Sequence, residues 1–476
     1  MAVSTHEETR LRRSCGRMVE AHPRQSGVFA LQEGLDAFAA RVLLAGAAEH
    51  TLDVQYYIWH HDMSGTLLLE ALHRAADRGV SVRLLLDDNN TTGLDRWIAA
   101  LDAHANIEVR LFNPFKHRRW RVLDYLVDFA RVNRRMHNKS FTADGQATII
   151  GGRNVGDEYF GAGQDISFVD LDVIAVGPVV QEVTRDFERY WTSGSAVPAA
   201  HVVAPAAGSA HVDIEAAAQH VEHDPVGVKY IHAVARAPFV RDLLEGNLRL
   251  EWANVHMVSD DPAKGLARAP DDSMLWNRLK EIMDSPKREL ELVSPYFVPG
   301  EEGVKELTGL ERAGVKITVL TNALEATDVP AVHAGYAKRR KPLLAAGIKL
   351  YELKRLPGGR SARGSGLFGS SSSSLHAKTF AVDRTRLFVG SFNFDPRSAR
   401  LNTEMGFVID SPALANVVAD ACTQRVPELS YEVSLTKSGA LQWTDGNQRF
   451  NSEPGTSLGR RLLVRFLALL PIEWLL

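Results

Sequence analysis

Apolar and polar side chains alternate between residues 51 and 59 (TLDVQYYIW), the period of a half-buried strand. From 65 to 78 the period lengthens, and Leu67, Leu68, Leu69, Ala71, Leu72 and Ala75 fall on the apolar side of a helix. Gly79 stops it, and residues 80–87 (VSVRLLLD) read as a second strand. The second half of the chain repeats this order, with a strand at 290–298, a helix at 300–313 and a strand at 314–322 opening on Gly314. A third strand follows in each half, at 107–112 and 348–353. Strand, helix, glycine, strand is the pattern of a right-handed crossover. The fold class expected is therefore α/β: two pseudo-symmetric α/β sandwich domains with mixed, mostly parallel sheets.

The repeat carries a polar motif. The first copy has His137 and Lys139, then Asp144, Gly151, Gly152 and Asn154; the second has His376 and Lys378, then Asp383, Gly390, Ser391 and Asn393. The spacing from His to Gly is identical in both copies. Residues 141–143 and 147–150 flank Asp144-Gly145, a hairpin pattern that 379–382 and 386–389 repeat around Asp383-Arg384. Asp144 and Asp383 therefore fall at turns and read as structural, with Gly151, Gly152, Gly390 and Ser391. Residues two apart on a strand face one way, so each histidine points with its lysine. A full match to one copy arises by chance in roughly one chain in several hundred of this length. Two matches in register with a strand repeat are not an accident.

Composition adds bounds. With 45% apolar and 24% charged residues and a net charge of −3, the chain is an ordinary globular protein without a global pull toward nucleic acid. Two cysteines exclude a disulfide framework. The start of the chain is polar and does not read as a secretory signal. The expected divisions are a polar segment (1–26), a first domain (27–192), a linker region (193–245), a second domain (246–435) and a tail (436–476). In the linker region the pattern predicts a helix at 239–246, with a strand near 248–258 following it. An insertion at 113–135 mixes basic and aromatic residues and suits a lipid headgroup or a nucleic-acid backbone. A Gly/Ser-rich insertion at 354–374 reads as a flap. The tail ends in an apolar run with Arg465 and Trp474, read as an amphipathic membrane-surface helix; docking on the protein's own core is the alternative.

Two imidazoles and two ammonium groups around one pocket suit a phosphodiester. One histidine attacks phosphorus and the other moves the proton of the leaving and entering oxygens. Lys139, Lys378, Asn154 and Asn393 donate to the non-bridging oxygens, where charge develops. Such a site needs neither metal nor cofactor.

The paired motif resembles that of the phospholipase D superfamily. The segments 134–141 (RRMHNKSF), 151–160 (GGRNVGDEYF), 390–398 (GSFNFDPRS) and 401–404 (LNTE) look most like bacterial cardiolipin synthases of the C type. The resemblance implies one active site shared by both domains and no transmembrane anchor. It implies phosphatidyl transfer through a phosphohistidine to phosphatidylglycerol, with phosphatidylethanolamine or phosphatidylglycerol as donor, on the cytoplasmic face of the cell membrane. The alternative is a phospholipase D-type hydrolase or a phosphodiesterase or nuclease, although nucleic acid fits the charge poorly. It also implies a carboxylate orienting each opposite histidine, Glu404 in the second copy and Asp172 in the first, with Asp170 the alternate. His137 becomes the nucleophile and His376 the general acid/base; the symmetry of the repeat leaves the reverse open.

Overall fold

The computed structural model describes residues 9–161, 167–205, 213–283, 285–355 and 373–476. The segment expected as a flap lies for the most part outside the described residues. In the first half the strands are β1 (Ser26–Leu31), β2 (Thr51–Ile58), β3 (Ser81–Asn90), β4 (Ile107–Phe112), β5 (Ser140–Ala143), β6 (Ala147–Gly151), β7 (Ser167–Val169), β8 (Asp172–Val176) and β9 (Ala196–Pro198). In the second they are β10 (Glu251–Ser259), β11 (Glu289–Val293), β12 (Lys316–Asn322), β13 (Lys349–Leu353), β14 (Ser373–Leu375), β15 (Thr379–Val382), β16 (Arg386–Gly390), β17 (Met405–Asp410), β18 (Ser430–Leu435), β19 (Leu441–Asp445) and β20 (Gln448–Phe450).

All but β7 and β14 join one 18-stranded sheet. Its spatial order is β9, β4, β3, β2, β5, β6, β8, β1, then β10, β17, β16, β15, β11, β12, β13, β18, β19, β20. Outward from the β1–β10 seam, where Gly27 faces Trp252, the two halves repeat one order, and β19 and β20 extend the second beyond it. The sheet is mixed, as expected, but parallel pairing in it is confined to β2–β3–β4 and β11–β12–β13. The crossover pattern covers only those strands. After each His-x-Lys segment a tight hairpin reverses the chain, so the strands nearest the seam are antiparallel.

Helices cover both faces. Beneath the seam one core cluster takes residues from both halves, including Val28, Val173, Val255 and Phe407, and the helices Pro178–Trp191 and Pro412–Gln424 close it through Val179, Val183, Ala415 and Val418. Residues read as a linker region are built into the first half. Helix Ile214–Glu222 packs on Met63–Asp77, Gly227–Arg236 on Gly34–Ala47, and Phe239–Glu245 on Arg10–Glu20. That last helix lies within the segment expected to be a polar start; Thr9 caps it, and Leu11 and Cys15 are buried. The C-terminal helix Leu458–Leu469 docks on Pro330–Ala337 through Val464, Leu467 and Ala468. Leu462, Phe466 and Leu469 stay exposed on its other side, so docking and an outward apolar face coexist.

Candidate active site

Each histidine is held by the opposite half. The His137 N–H donates to the Thr403 carbonyl (2.9 Å), and the His376 N–H to that of Val169 (2.8 Å), next to the short parallel pair β7–β14. Residues toward the ends of β3 and β12 hold the chain just upstream: Asp87 accepts the Met136 N–H (2.7 Å) and Asn322 that of Leu375 (2.9 Å).

The rings are oriented through Nδ1. His137 Nδ1 lies 2.8 Å from Glu404 and His376 Nδ1 lies 2.5 Å from Asp170, so each imidazole of one half meets a carboxylate of the other. This arrangement leaves Nε2 as the reactive nitrogen of each ring. Tyr57 sets its ring edge-on to His137, and Tyr159 does the same for His376, with Phe168 beside it. Glu404 is fixed in turn by the hydroxyls of Ser391 (2.5 Å) and Ser398 (2.8 Å), and its own N–H donates to Asp260 (2.9 Å).

The carboxylate expected at Asp172 is at Asp170. In the ladders Gly151 faces Asp172 and Gly390 faces Gly406, which aligns Asp170 with Glu404. Gly152 makes room: a Cβ there would lie 2.1 Å from the Asp170 carboxylate. Asp172 is buried in a different network, paired with Arg41 (2.8 Å) and accepting the Arg153 N–H (3.1 Å). Asp144 and Asp383 lie at the hairpin turns. Each accepts three backbone N–H groups, from Glu49, His50 and Thr51 in one case and Lys287, Arg288 and Glu289 in the other.

Lys139 and Lys378 are buried, and each donates to the carbonyl of its own histidine (2.5 Å); Lys378 Nζ also lies 3.2 Å from His376 Nε2. Asn154 accepts the Ile58 N–H (3.2 Å), which leaves its amide NH₂ as the donor, beside Tyr159. The Asn393 Oδ1 is buried with no hydrogen-bond partner among the described residues; a flip of the amide presents a donor at the same point.

The charges are tuned by burial. Desolvation and the nearby lysines push His137 well below its usual range and His376 down to about 4. Burial lowers Lys139 to about 7 and Lys378 to about 8, against the pull of Glu404 and Asp170. Burial likewise raises Glu404 to about 7. It also pushes Asp170 up, but His376 and Lys378 more than offset this and hold its carboxyl below the usual range. The centre is thus short of negative charge. An anion bound among these groups would raise the affinity of both histidines and both lysines for protons.

Sequence reasoning passed over Asp260, Ser398, Tyr57 and Tyr159. The partners of Asp260, Tyr57 and Tyr159 come from distant elements, so no local spacing marks them; Ser398 lies six residues from Glu404 but outside the repeated spacing. Among the described residues, two His/carboxylate groupings of metal-binding size lie outside this centre, His73–Asp77–His104 and His60–Asp62–Glu158. In the first, the Asn106 N–H donates to His104 Nδ1 (3.1 Å), so the Nε2 facing Asp77 carries a proton and is not a metal ligand. In the second, Asp62 is occupied as a cap for the Gly65 and Asp157 N–H groups.

The family described as cardiolipin synthase, phospholipase D-like domain, matches residues 43–191 and 279–425, one range in each half. Cardiolipin synthase C of Escherichia coli (strain K12) is 51% identical over 460 residues, 96% of this chain and 97% of that protein. A cardiolipin synthase of Geobacillus kaustophilus is 25% identical over 82% of this chain and 64% of its own length. Among solved structures, phosphatidylserine synthase of Haemophilus influenzae superposes with a TM-score of 0.55 at 11% identity, over 88% of this chain and 91% of that one. That likeness concerns the fold alone. Two matched ranges, each carrying one His-x-Lys pair, and a relative aligned almost end to end place the chain in the cardiolipin synthase, phospholipase D-like domain family.

Proposed function

We propose that this protein is a phosphatidyltransferase that makes cardiolipin. The observation that carries the reading is the pair of histidines held across the seam by Glu404 and Asp170, in a chain half identical to a cardiolipin synthase. His137 Nε2 attacks the phosphorus of a phosphatidylethanolamine or phosphatidylglycerol donor. The P–O bond to the headgroup breaks, and the leaving oxygen takes its proton from His376. A hydroxyl of phosphatidylglycerol then gives its proton to His376 and attacks the phosphohistidine, releasing cardiolipin and free His137. Lys139, Lys378, Asn154 and Asn393 hold the non-bridging oxygens.

The unequal carboxylates support this division of labour. Asp170, held as the anion, pulls the proton affinity of His376 up against burial and Lys378, and so suits that ring to take and return a proton once a phosphodiester anion is bound. Glu404, raised to about 7, leaves His137 neutral with a free lone pair. Asp170 and Glu404 are positioning residues, and Asp144, Asp383, Gly151, Gly152, Gly390 and Ser391 shape the frame. No described helix is long and apolar enough to cross a membrane. With lipids as substrates the reading puts the protein at a membrane surface, and its likeness to bacterial cardiolipin synthases favours the cytoplasmic face.

The test is lipid product analysis by mass spectrometry with purified protein and mixed phosphatidylglycerol/phosphatidylethanolamine vesicles. Cardiolipin with ethanolamine or glycerol release is expected. Phosphatidic acid without cardiolipin overturns the transferase reading.

A further inference from the structure

The insertion leading to His137 has its polarity turned inside out. It comprises the turn Arg118–Trp120 and the helices Arg121–Val127 and Phe129–Val132. Its described cations face the protein. Arg118 pairs with Asp88 and Asp95. Arg121 donates to the carbonyls of Asp88 (2.8 Å) and Asn89 (3.1 Å), and Arg131 pairs with Asp128 (2.7 Å). Tyr125 donates to Asn89 (2.9 Å), and buried Asp124 accepts from His117 (2.6 Å). The outer face is apolar: Trp120, Val122, Leu126 and Val127 are 70–77% exposed, with Leu123 and Phe129 beside them. The reading of this segment as a basic headgroup clamp is therefore corrected. Its described arginines Arg118, Arg121 and Arg131 already have carboxylate and carbonyl partners inside the protein, and an apolar ridge faces outward.

The ridge belongs to the catalytic end of the sheet. Asp87, Asp88 and Asn89, on which the insertion is anchored, lie near the end of β3, and Asp87 also fixes the backbone of Met136. A second tie is Arg397, a few residues beyond Asn393. Its guanidinium donates to the Asn133 side chain (2.9 Å) and backbone (2.8 Å) and to the Leu475 carbonyl (3.2 Å). One side chain thus links the insertion, the loop bearing Asn393 and the C-terminal segment, where Trp474 is also exposed.

We propose that the ridge of Trp120, Val122, Leu123, Leu126 and Val127 is a hydrophobic wedge that enters the acyl-chain region of a phospholipid bilayer. The proposal rests on the phosphatidyl-transfer reading and deepens it by naming the docking element. A monomeric surface seldom exposes so contiguous an apolar patch without a partner. The internal pairing of the described arginines occupies charge that an anionic polymer or headgroup layer would need. The occupant is then hydrocarbon, and binding driven by its burial resists salt, because screening acts on exposed charges.

The experiment uses the full chain with phosphatidylcholine vesicles, with and without brominated acyl chains, at low and high salt. Expected results are flotation with the vesicles at both salt levels and quenching of tryptophan fluorescence by brominated lipid. The quenching is reduced in Trp120→Phe, which still binds. The double variant Leu126→Glu/Val127→Glu is expected to bind vesicles at least about tenfold more weakly, or about 1.4 kcal/mol. It should retain wild-type turnover on phospholipid dispersed in detergent micelles, which also shows that it is folded. Loss of binding at high salt, unchanged quenching in Trp120→Phe, or undiminished binding of the double variant overturns the wedge. So does a wild-type dimer, seen by sedimentation, that the double variant dissolves. A wild type inactive on micelles as well as vesicles refutes the transferase reading instead, so the two failures are separable.

Discussion

At the scale of single residues, two aspartates two positions apart separate chemistry from stability. Asp170 touches His376, and Asp172 touches Arg41. Asp170→Asn is expected to lower turnover by roughly 10²–10⁴-fold with little change in melting temperature, because it weakens the proton relay. Asp172→Asn leaves the Arg41 charge buried without its partner and is expected to cost about 3–5 kcal/mol of stability, while the folded fraction keeps its activity. Kinetics and thermal denaturation on the two variants check both. The sequence suggested Asp172 because Asp170-Leu171-Asp172 looks like Asn402-Thr403-Glu404. Only the ladder register, a backbone property, shows that Asp172 aligns with Gly406. The two His/Lys pairs needed no such information, since their spacing is local. Lys139 gives a pH test. Its ordinary value is 10.5, and burial lowers it to about 7 in the folded chain. The unfolded chain therefore binds the proton more tightly, and stability rises with pH between these values. The cost of the buried ammonium is complete below about pH 7 and vanishes above the unfolded value. Lys139→Met should abolish turnover yet raise Tm by roughly 2–4 °C at neutral or lower pH. That gain should shrink as the pH approaches 10.5.

At the scale of elements, the motif's hairpins are joints as well as turns. Asp144 and Gly145 both have positive φ (51° and 61°), as do Asp383 and Arg384 (52° and 56°), the geometry of a two-residue hairpin. Each Asp side chain clamps the backbone that enters β2 or β11. Asp144→Ala and Asp383→Ala are each expected to lose about 2 kcal/mol of stability, with kcat of the folded protein retained, as measured by denaturant unfolding and lipid assays. A large loss of kcat at unchanged stability would instead mark these carboxylates as part of the chemistry. These hairpins were legible because alternation and Asp-Gly are local signals. The helix at Phe239–Glu245 was legible too, but the helices Ile214–Glu222 and Gly227–Arg236 before it were less so. Helix Ile214–Glu222 buries only Ile214 and Ala218, too narrow a stripe to stand out in sequence. The strand β10 that follows was legible from its apolar run, but its position at the centre of the molecule was not.

At the scale of the whole molecule, the site exists only across the seam. His137 depends on Thr403 and Glu404, and His376 on Val169 and Asp170. All of these come from one chain. Mixing His137→Asn protein with His376→Asn protein should therefore restore no cardiolipin synthesis in the lipid assay. Recovered activity would mean that halves from two chains combine. The repeat announced two similar halves, but their fusion into one sheet was hidden. The pairing of Ser26 with Ala253 joins residues far apart in sequence and carries no compositional mark. The same seam bears on descent. A gene half as long would encode one half-sheet with an open edge at β1, and two copies of it would complete the site only as a symmetric dimer. Fusion into one chain freed each copy to diverge. Gly152 against Ser391, Asp170 against Glu404 and Asp172 against Gly406 are where the two copies differ, and with them the two histidines stand in unequal surroundings.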